Sequence, residues 1–408
     1  MARGIALRAL VLLLSSLALG QTSGNPPTRP AATASAQSAA QATSSTKKAR
    51  TRPAPSAEKR ARLSEQLLDA VDGGDLAAVR RLLAAGADAN ARDEHGVTAL
   101  MMAAEGSDPE LAKALLEAGA EVNAKDVSGG SALMTAADRG QLPLVQLLLG
   151  KGADPNVADE NGWTPLITAC LGGQEEVAQA LLAGGADPNA RDRDRTTVLM
   201  FASAAGETRI IPLLLDAQAK GRKPADAGSA SEKPRSAKPG GGLEARDVSG
   251  WTALHHAASQ WQTEVVRMLL ARGAEVDARN NNGWTPLMLA ADNGDEDTVA
   301  ALLARGAVVH TRTTSGMTAL MLAANKGDAA AVEALLGAGA DPNLAARDGR
   351  TALMEAAGEG SLEAVQALLA KGANVKAKTA AGVTALKRAL RKRDNAEVVE
   401  ALKQAGAK

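Results

Sequence analysis

Residues 162–170 read GWTPLITAC, and the phrase returns as GWTALHHAA at 250–258 and GWTPLMLAA at 283–291. A recurring phrase is either a site copied several times or a piece of scaffold, and the surrounding residues decide which. Thr164 before Pro165 reads as a helix start: the hydroxyl caps free amides, and a proline at the first helical position loses no hydrogen bond. Leu166, Ala169 and Cys170 then fall at i, i+3 and i+4, one apolar face of a short helix. Gly173 lets the chain turn through positive φ, as do Gly140, Gly206, Gly294, Gly327 and Gly360 at matching places. A second helix carries the same spacing, as in Val79, Leu82 and Leu83, and stops at a glycine such as Gly86 or Gly152. The segment GADPNVADENG at 152–162 supplies turn residues leading onward.

These features recur in units starting at 60, 93, 126, 159, 192, 247, 280, 313, 346 and 379, at a spacing of 33 residues. One step, from 192 to 247, is 55 residues and carries an insertion of 22. A fixed period of this size is the mark of a solenoid. The sixth residue of nine units is Thr or Ser: Thr98, Ser131, Thr164, Thr197, Thr252, Thr285, Thr318, Thr351 and Thr384. TPL at 164–166, TALHHAA at 252–258, GADPN at 152, 185 and 339, and the 33-residue period resemble the ankyrin repeat over residues 60–408. The resemblance implies a mainly α fold: a solenoid of about ten helix-turn-helix units joined by β-hairpin loops, binding a protein partner through the concave hairpin-tip surface. On that surface it would set Trp163, Trp251, Trp261 and Trp284, with His95, Arg139, Gln260, Asn293, Lys326 and Arg350.

Departures from the family pattern carry more information than the matches. The family's histidine at the ninth position survives only as His255; Met101, Met134, Met200, Met288, Met321 and Met354 replace it elsewhere. Such a column reads as core filling, for which Met is well suited, or as a thioether ladder for Cu(I). Trp163, Trp251 and Trp284 at the fifth position read either as binding anchors or as hairpin packing. Arg195 replaces a hairpin glycine and Gln218 the glycine after a second helix. GRKPADAGSASEKPRSAKPGGG at 221–242, net +3, then reads as a disordered loop. Trp261 stands where glycine is usual, and because a bulky residue is costly at positive φ, the helix there is expected to extend or reorient. The loop and the unit after it are either a recognition region or a tolerated expansion.

Composition agrees with packed helices. Of 408 residues 45% are hydrophobic, yet there is one Phe, no Tyr and four Trp, so Ala, Leu, Val and Met must build the core. The net charge of zero is uneven: +2 over 1–20, +6 over 21–60, and −8 over the remainder, which argues against a nucleic-acid partner. Residues 1–20, MARGIALRALVLLLSSLALG, have the layout of a cleaved signal peptide, with a possible cut before Gln21. The apolar run is short of the about 20 residues of a membrane span, so no span is expected after cleavage; an uncleaved inner-membrane anchor is the minor alternative. Residues 21–59, rich in Ala, Ser, Thr and Pro, read as a disordered tether. Cys170 is the only thiol, so no intramolecular disulfide can form. The first unit exposes Arg60, Arg62, Glu65, Gln66, Arg80 and Arg81, and the last Lys387, Arg388, Arg391, Lys392, Arg393 and Lys403, the polar ends a monomeric array needs.

Catalysis is not expected. Four scattered histidines and one cysteine assemble no nucleophile with its base, no phosphate-cradling glycine loop appears, and no cofactor or metal set is implied. The sequence therefore points to an exported, periplasmic or secreted binding protein. It is either an envelope scaffold for a partner protein or an effector or immunity factor that blocks a foreign one.

Overall fold

The computed structural model describes residues 57–221, 242–392 and 395–407. The signal-like segment, the tether up to residue 56, the insertion over 222–241 and Arg393 lie outside the described residues. Among the described residues there are twenty helices, in ten consecutive pairs. They are α1 Ala57–Asp72, α2 Leu76–Ala84, α3 Ala99–Glu105, α4 Pro109–Glu117, α5 Ala132–Asp138, α6 Leu142–Gly150, α7 Pro165–Leu171, α8 Glu175–Ala183, α9 Val198–Ala205 and α10 Ile210–Gly221. Beyond the insertion follow α11 Ala253–Ser259, α12 Thr263–Ala271, α13 Pro286–Asn293, α14 Glu296–Ala304, α15 Ala319–Lys326, α16 Ala329–Gly337, α17 Ala352–Glu359, α18 Leu362–Ala370, α19 Ala385–Ala389 and α20 Ala396–Gln404. Helix α1 takes in Ala57 to Lys59 of the stretch read as tether. No described helix is long and apolar enough to cross a membrane.

The local signals act as expected at most positions. Thr98, Ser131, Thr164, Thr197, Thr285, Thr318 and Thr384 each accept, through the hydroxyl oxygen, the amide three residues on. Thr252 and Thr351 are the exceptions: the Thr252 hydroxyl pairs with His255 Nδ1 at 2.9 Å, and that of Thr351 is buried without a partner. The ninth residue completes the cap. Met101 and Met200 turn their sulfurs back to accept the Thr98 and Thr197 amides at 3.4 Å, where His255 Nδ1 accepts the Thr252 amide at 3.2 Å. At those two places Met replaces both the bulk of His and its acceptor; at Met134, Met288, Met321 and Met354 it fills space. All six of these methionines are buried in the core.

Each first helix packs on the first helices of the neighbouring pairs, and second helices pack on second helices. The layer between them is built from residues such as Leu166, Ala169, Cys170, Leu181, Leu254 and Val266, all fully buried or nearly so. A buried Leu of this kind contributes about 1.5–3 kcal/mol, and Ala at alternate positions lets the helices approach. Side chains of the loops tie the units together as well. Asn123 Oδ1 accepts the Asp154 amide at 2.8 Å, while its Nδ2 donates to the Gly152 carbonyl at 3.1 Å. Asn156 and Asn343 repeat both bonds.

Three expectations need correction. Among the described residues the loops form no strands; they carry only isolated antiparallel bridges, Arg92 with Thr98, Arg191 with Thr197 and Ala345 with Thr351. The loops are pinned by Asx turns and by short-range bonds such as the Asp159 amide to the Trp163 carbonyl and the Gly162 amide to the Asp159 carbonyl, too few paired groups to make a ladder. Trp261 does not lengthen its helix, which at seven residues matches Ala132–Asp138. The backbone takes the left-handed turn at φ 61°, because the Gln262 amide reaches back to the Ala257 carbonyl at 3.1 Å as its counterparts do in the glycine units. At the insertion, α10 starts late and runs on to Gly221, since Gln218, unlike glycine, does not stop a helix; its amide group donates to the Pro188 carbonyl at 3.0 Å.

The insertion leaves the inner layer stacked. Helices α9 and α11 pack against each other, and the Val248 amide donates to the Asp194 carbonyl at 3.0 Å. The outer layer differs: α10 and α12 do not pack closely, and an exposed Arg272–Asp216 ion pair of 3.1 Å spans them.

Candidate functional site

The loop tips form one continuous edge. A main-chain amide of each tip donates to a carbonyl of the tip before it: Val127 to His95, Glu160 to Ser128, Arg193 to Asn161, Val248 to Asp194, Asn281 to Ser249, Thr314 to Asn282, Arg347 to Ser315 and Ala380 to Asp348, over 2.8–3.1 Å. Within a loop the first residue holds the backbone of the fifth. Asp159, Asp247 and Asn280 each accept, through Oδ1, the amides of Trp163, Trp251 and Trp284 at 2.8–2.9 Å. The chain therefore presents its fifth residues at a fixed interval, with orientation set by hydrogen bonds rather than by the side chains themselves.

Those tryptophans are half-buried and pack on the core. Trp163 meets Phe201 of the next unit edge-on, centroids 5.7 Å apart, and Trp251 lies over His256 at 5.2 Å. His256 Nε2 is 3.0 Å from Asp247 Oδ2. Burial alone would raise the Asp247 carboxyl, but the His256 bond and charge and two amides hold it below the usual carboxylate range. His255 behaves differently. It is fully buried, its Nδ1 accepts from the Thr252 amide and its Nε2 donates to the Trp284 carbonyl of the next unit at 3.1 Å. Burial pushes its pKa down to about 4, against the carbonyl bond that favours the charged form. Asp192, in the loop where Arg195 takes φ 65°, is raised to about 6, chiefly by burial and further by the charge of Asp194.

The ten residues expected on the partner surface fall into separate groups. His95 is exposed at a loop tip, and Trp163, Trp251, Trp284 and Arg350 share the loop end of the first helices. Arg139, Gln260, Asn293 and Lys326 sit at the opposite, C-terminal end of those helices. There Arg139 pairs with Glu105, and Asn293 donates to the Ser259 carbonyl at 2.8 Å, which places it beside Gln260 and Trp261. Trp261 is 58% exposed. It is the one tryptophan of the four whose ring stands out from the surface, and it does so from a left-handed conformation held by glycine in seven sister units and by Ser107 in another.

One group was missed by sequence reasoning. Glu355, on α17, is 1% exposed and lies between two guanidinium groups: Arg350 Nη1 donates to its Oε1 at 2.8 Å, and Arg388 Nη2 lies 2.8 Å from its Oε2, too far off axis for an aligned hydrogen bond. The signal was present: an acidic residue where the other inner units carry Met102, Thr135, Thr168, Phe201, His256, Leu289 and Leu322, with Arg five residues before and 33 after. Among the described residues no three His, Cys, Asp or Glu side chains converge as a metal set, and the lone thiol of Cys170 is buried and pushed up, mostly by burial and partly by Glu207.

The family model for ankyrin repeats (3 copies) matches residues 67–159, 133–225, 236–313 and 320–408. Comparison with curated proteins gave no match. Matched over most of its length, with capped helix pairs held in register by loop-to-loop hydrogen bonds, the chain belongs to the ankyrin-repeat family.

Proposed function

We propose that the protein is a non-catalytic scaffold of the cell envelope that holds a partner protein against the exposed face of its first helices and loops. The observation that carries this reading is Trp261. A large aromatic side chain is kept 58% exposed, in a left-handed backbone conformation that glycine takes in seven other units and the small Ser107 in one. Strain of this kind costs about 1–3 kcal/mol and persists where something other than stability selects it. A rigid, solvent-facing indole is an efficient anchor for a partner, and Gln260 and Asn293 beside it supply polar contacts. Ankyrin repeats in general mediate protein–protein contact, and the signal-like residues 1–20 support export.

The test compares the mature chain with its Trp261→Gly variant as baits for an envelope extract. Glycine takes this left-handed turn without strain in seven sister units, so the variant stays folded while losing the ring. A prey retained by the wild type and lost from the variant supports the reading; identical retention on both removes Trp261 as the anchor. Cell fractionation that leaves the protein in the cytoplasm would overturn the envelope assignment.

A further inference from the structure

At the C-terminal end of the array, between the loop of residues 346–351 and helix α19, lies a pocket of about 610 Å³. Four cationic side chains line it, Arg350, Arg388, Arg391 and Lys392, against one carboxylate, Asp348. The cations are arranged rather than scattered. Arg350 gives Nε to Asp348 at 2.5 Å and Nη1 to Glu355 at 2.8 Å, while Arg388 is drawn by the buried Glu355 through Nη2 alone. Lys392 bonds the Glu359 main-chain carbonyl and lies 3.3 Å from the Glu359 carboxylate, and Arg391 forms no ion pair with any described residue. Each guanidinium carries five N–H donors in a planar fork, so Arg388 keeps Nε and Nη1, and Arg391 its whole fork, for whatever enters.

Two features show that the Arg388 position is built. A carboxylate buried to 1% exposure is costly unless paired, and the one other acidic residue at this repeat position, Asp69 of the first unit, is exposed. Gly358 clears the ground for the guanidinium: a Cβ there would sit 2.9 Å from Arg388 Nε and 3.2 Å from Nη2. Its backbone is ordinary helix and does not require glycine. Sister units carry Glu105, Asp138, Leu171, Ser259, Asp292 and Asn325 at this place.

We infer that this pocket takes the side-chain carboxylates of an acidic segment of a protein partner. The inference rests on the reading above that this face binds a partner, and it adds what chemistry that partner brings. Glu355 shows that the Arg350–Arg388 pair already accepts a carboxylate from below, and a partner's Glu or Asp would meet the remaining donors from the solvent side. The rim position of Arg391 and Lys392 makes the contact dependent on ionic strength.

The experiment titrates the mature chain with a fluorescein-labelled tetraglutamate peptide, amidated at its C-terminus, beside a tetraglutamine control and inorganic phosphate as competitor. Tetraglutamate should bind at low salt and tetraglutamine should not. The exposed Arg391→Glu, checked for an unchanged circular dichroism spectrum and melting temperature, should weaken tetraglutamate about fivefold or more. Gly358→Ala, which displaces the Arg388 fork, should weaken it as well. No binding of tetraglutamate, or binding unmoved by Arg391→Glu, overturns the inference. Displacement of the peptide by equimolar phosphate also overturns it, since the pocket is then an unselective anion site. Because Trp261 takes no part, a failed titration beside Trp261-dependent capture removes the acidic-segment assignment alone, and the reverse result removes the Trp261 reading alone.

Discussion

His255 Nε2 donates to the Trp284 carbonyl across the boundary between two units, 3.1 Å away, and Nδ1 of the same ring accepts the Thr252 amide. The buried imidazole is therefore neutral, with its proton on Nε2, and protonating Nδ1 would break the cap. The folded pKa of about 4 lies below the ordinary 6.5, so the unfolded chain binds a proton that the folded chain refuses. Stability from this group is complete above pH 6.5 and falls as pH drops toward 4, by about 3 kcal/mol in all. Asp192 acts in the opposite sense. Raised to about 6, it is protonated more readily in the folded chain, which gains stability as pH falls from 6 toward 4. His255→Met, the residue that six sister units use, removes the first effect and keeps the second. The urea midpoint of the variant, measured relative to wild type, should therefore rise between pH 7 and pH 4.5, with the Asp192 effect left uncompensated; the same difference from wild type at both pH values would show that His255 is not neutral in the folded chain.

Trp261→Gly is expected to stabilise the chain by about 1 kcal/mol. The ring is mostly in water and contributes little burial, while its left-handed backbone carries a penalty that glycine does not. The measurement is the chemical-denaturation midpoint. A clear loss of stability would show that the indole packs on its surroundings more than its exposure suggests.

Removing Arg388 should cost more than removing Arg391, although both lie in the last unit. Arg388→Ala leaves the buried Glu355 with one cationic partner and should destabilise by about 3 kcal/mol. Arg391→Ala, at an exposed position, should change stability by no more than about 0.5 kcal/mol. Adding Glu355→Leu to Arg388→Ala should restore most of the loss, because an apolar residue suits the place that Leu289 and Leu322 hold in sister units. Hydrogen exchange in residues 385–404 reads the difference locally.

The Cys170 thiol should react with Ellman's reagent only through opening of the array. It is fully buried, and burial, with a smaller push from Glu207, raises its pKa and suppresses the thiolate. Modification in the native state should be slow and should accelerate with urea in step with loss of helix. Fast labelling of the folded chain would place Cys170 at a mobile seam.

Most of the scaffold was legible because its signals are local and repeated. A hydroxyl before an apolar i, i+3, i+4 face and a glycine three residues past it depend on near neighbours, and Thr164 with Gly173 behave as their sequence implies. Trp261 was misread for an instructive reason. The turn after a first helix is set by amide-to-carbonyl bonds that any residue can make, so the tryptophan accepted the strain instead of moving the helix. The ion-paired cluster around Glu355 joins residues five and 33 positions apart, which no local pattern reports, and only comparison of one position across units exposes it. The split of the expected surface residues between the two ends of the first helices was likewise invisible, because a repeat position says which unit a residue belongs to before it says which end of a helix it occupies.

The seam at the insertion differs from every other boundary: its inner helices α9 and α11 pack, its outer helices α10 and α12 hardly meet, and one exposed ion pair bridges them. In an array whose cooperativity is the product of nearest-neighbour couplings, one weak coupling divides the molecule. Residues 57–221 and 242–407 would then melt as two blocks, each all-or-none within itself, and the protein would sample a half-unfolded species that an uninterrupted array of the same length would not.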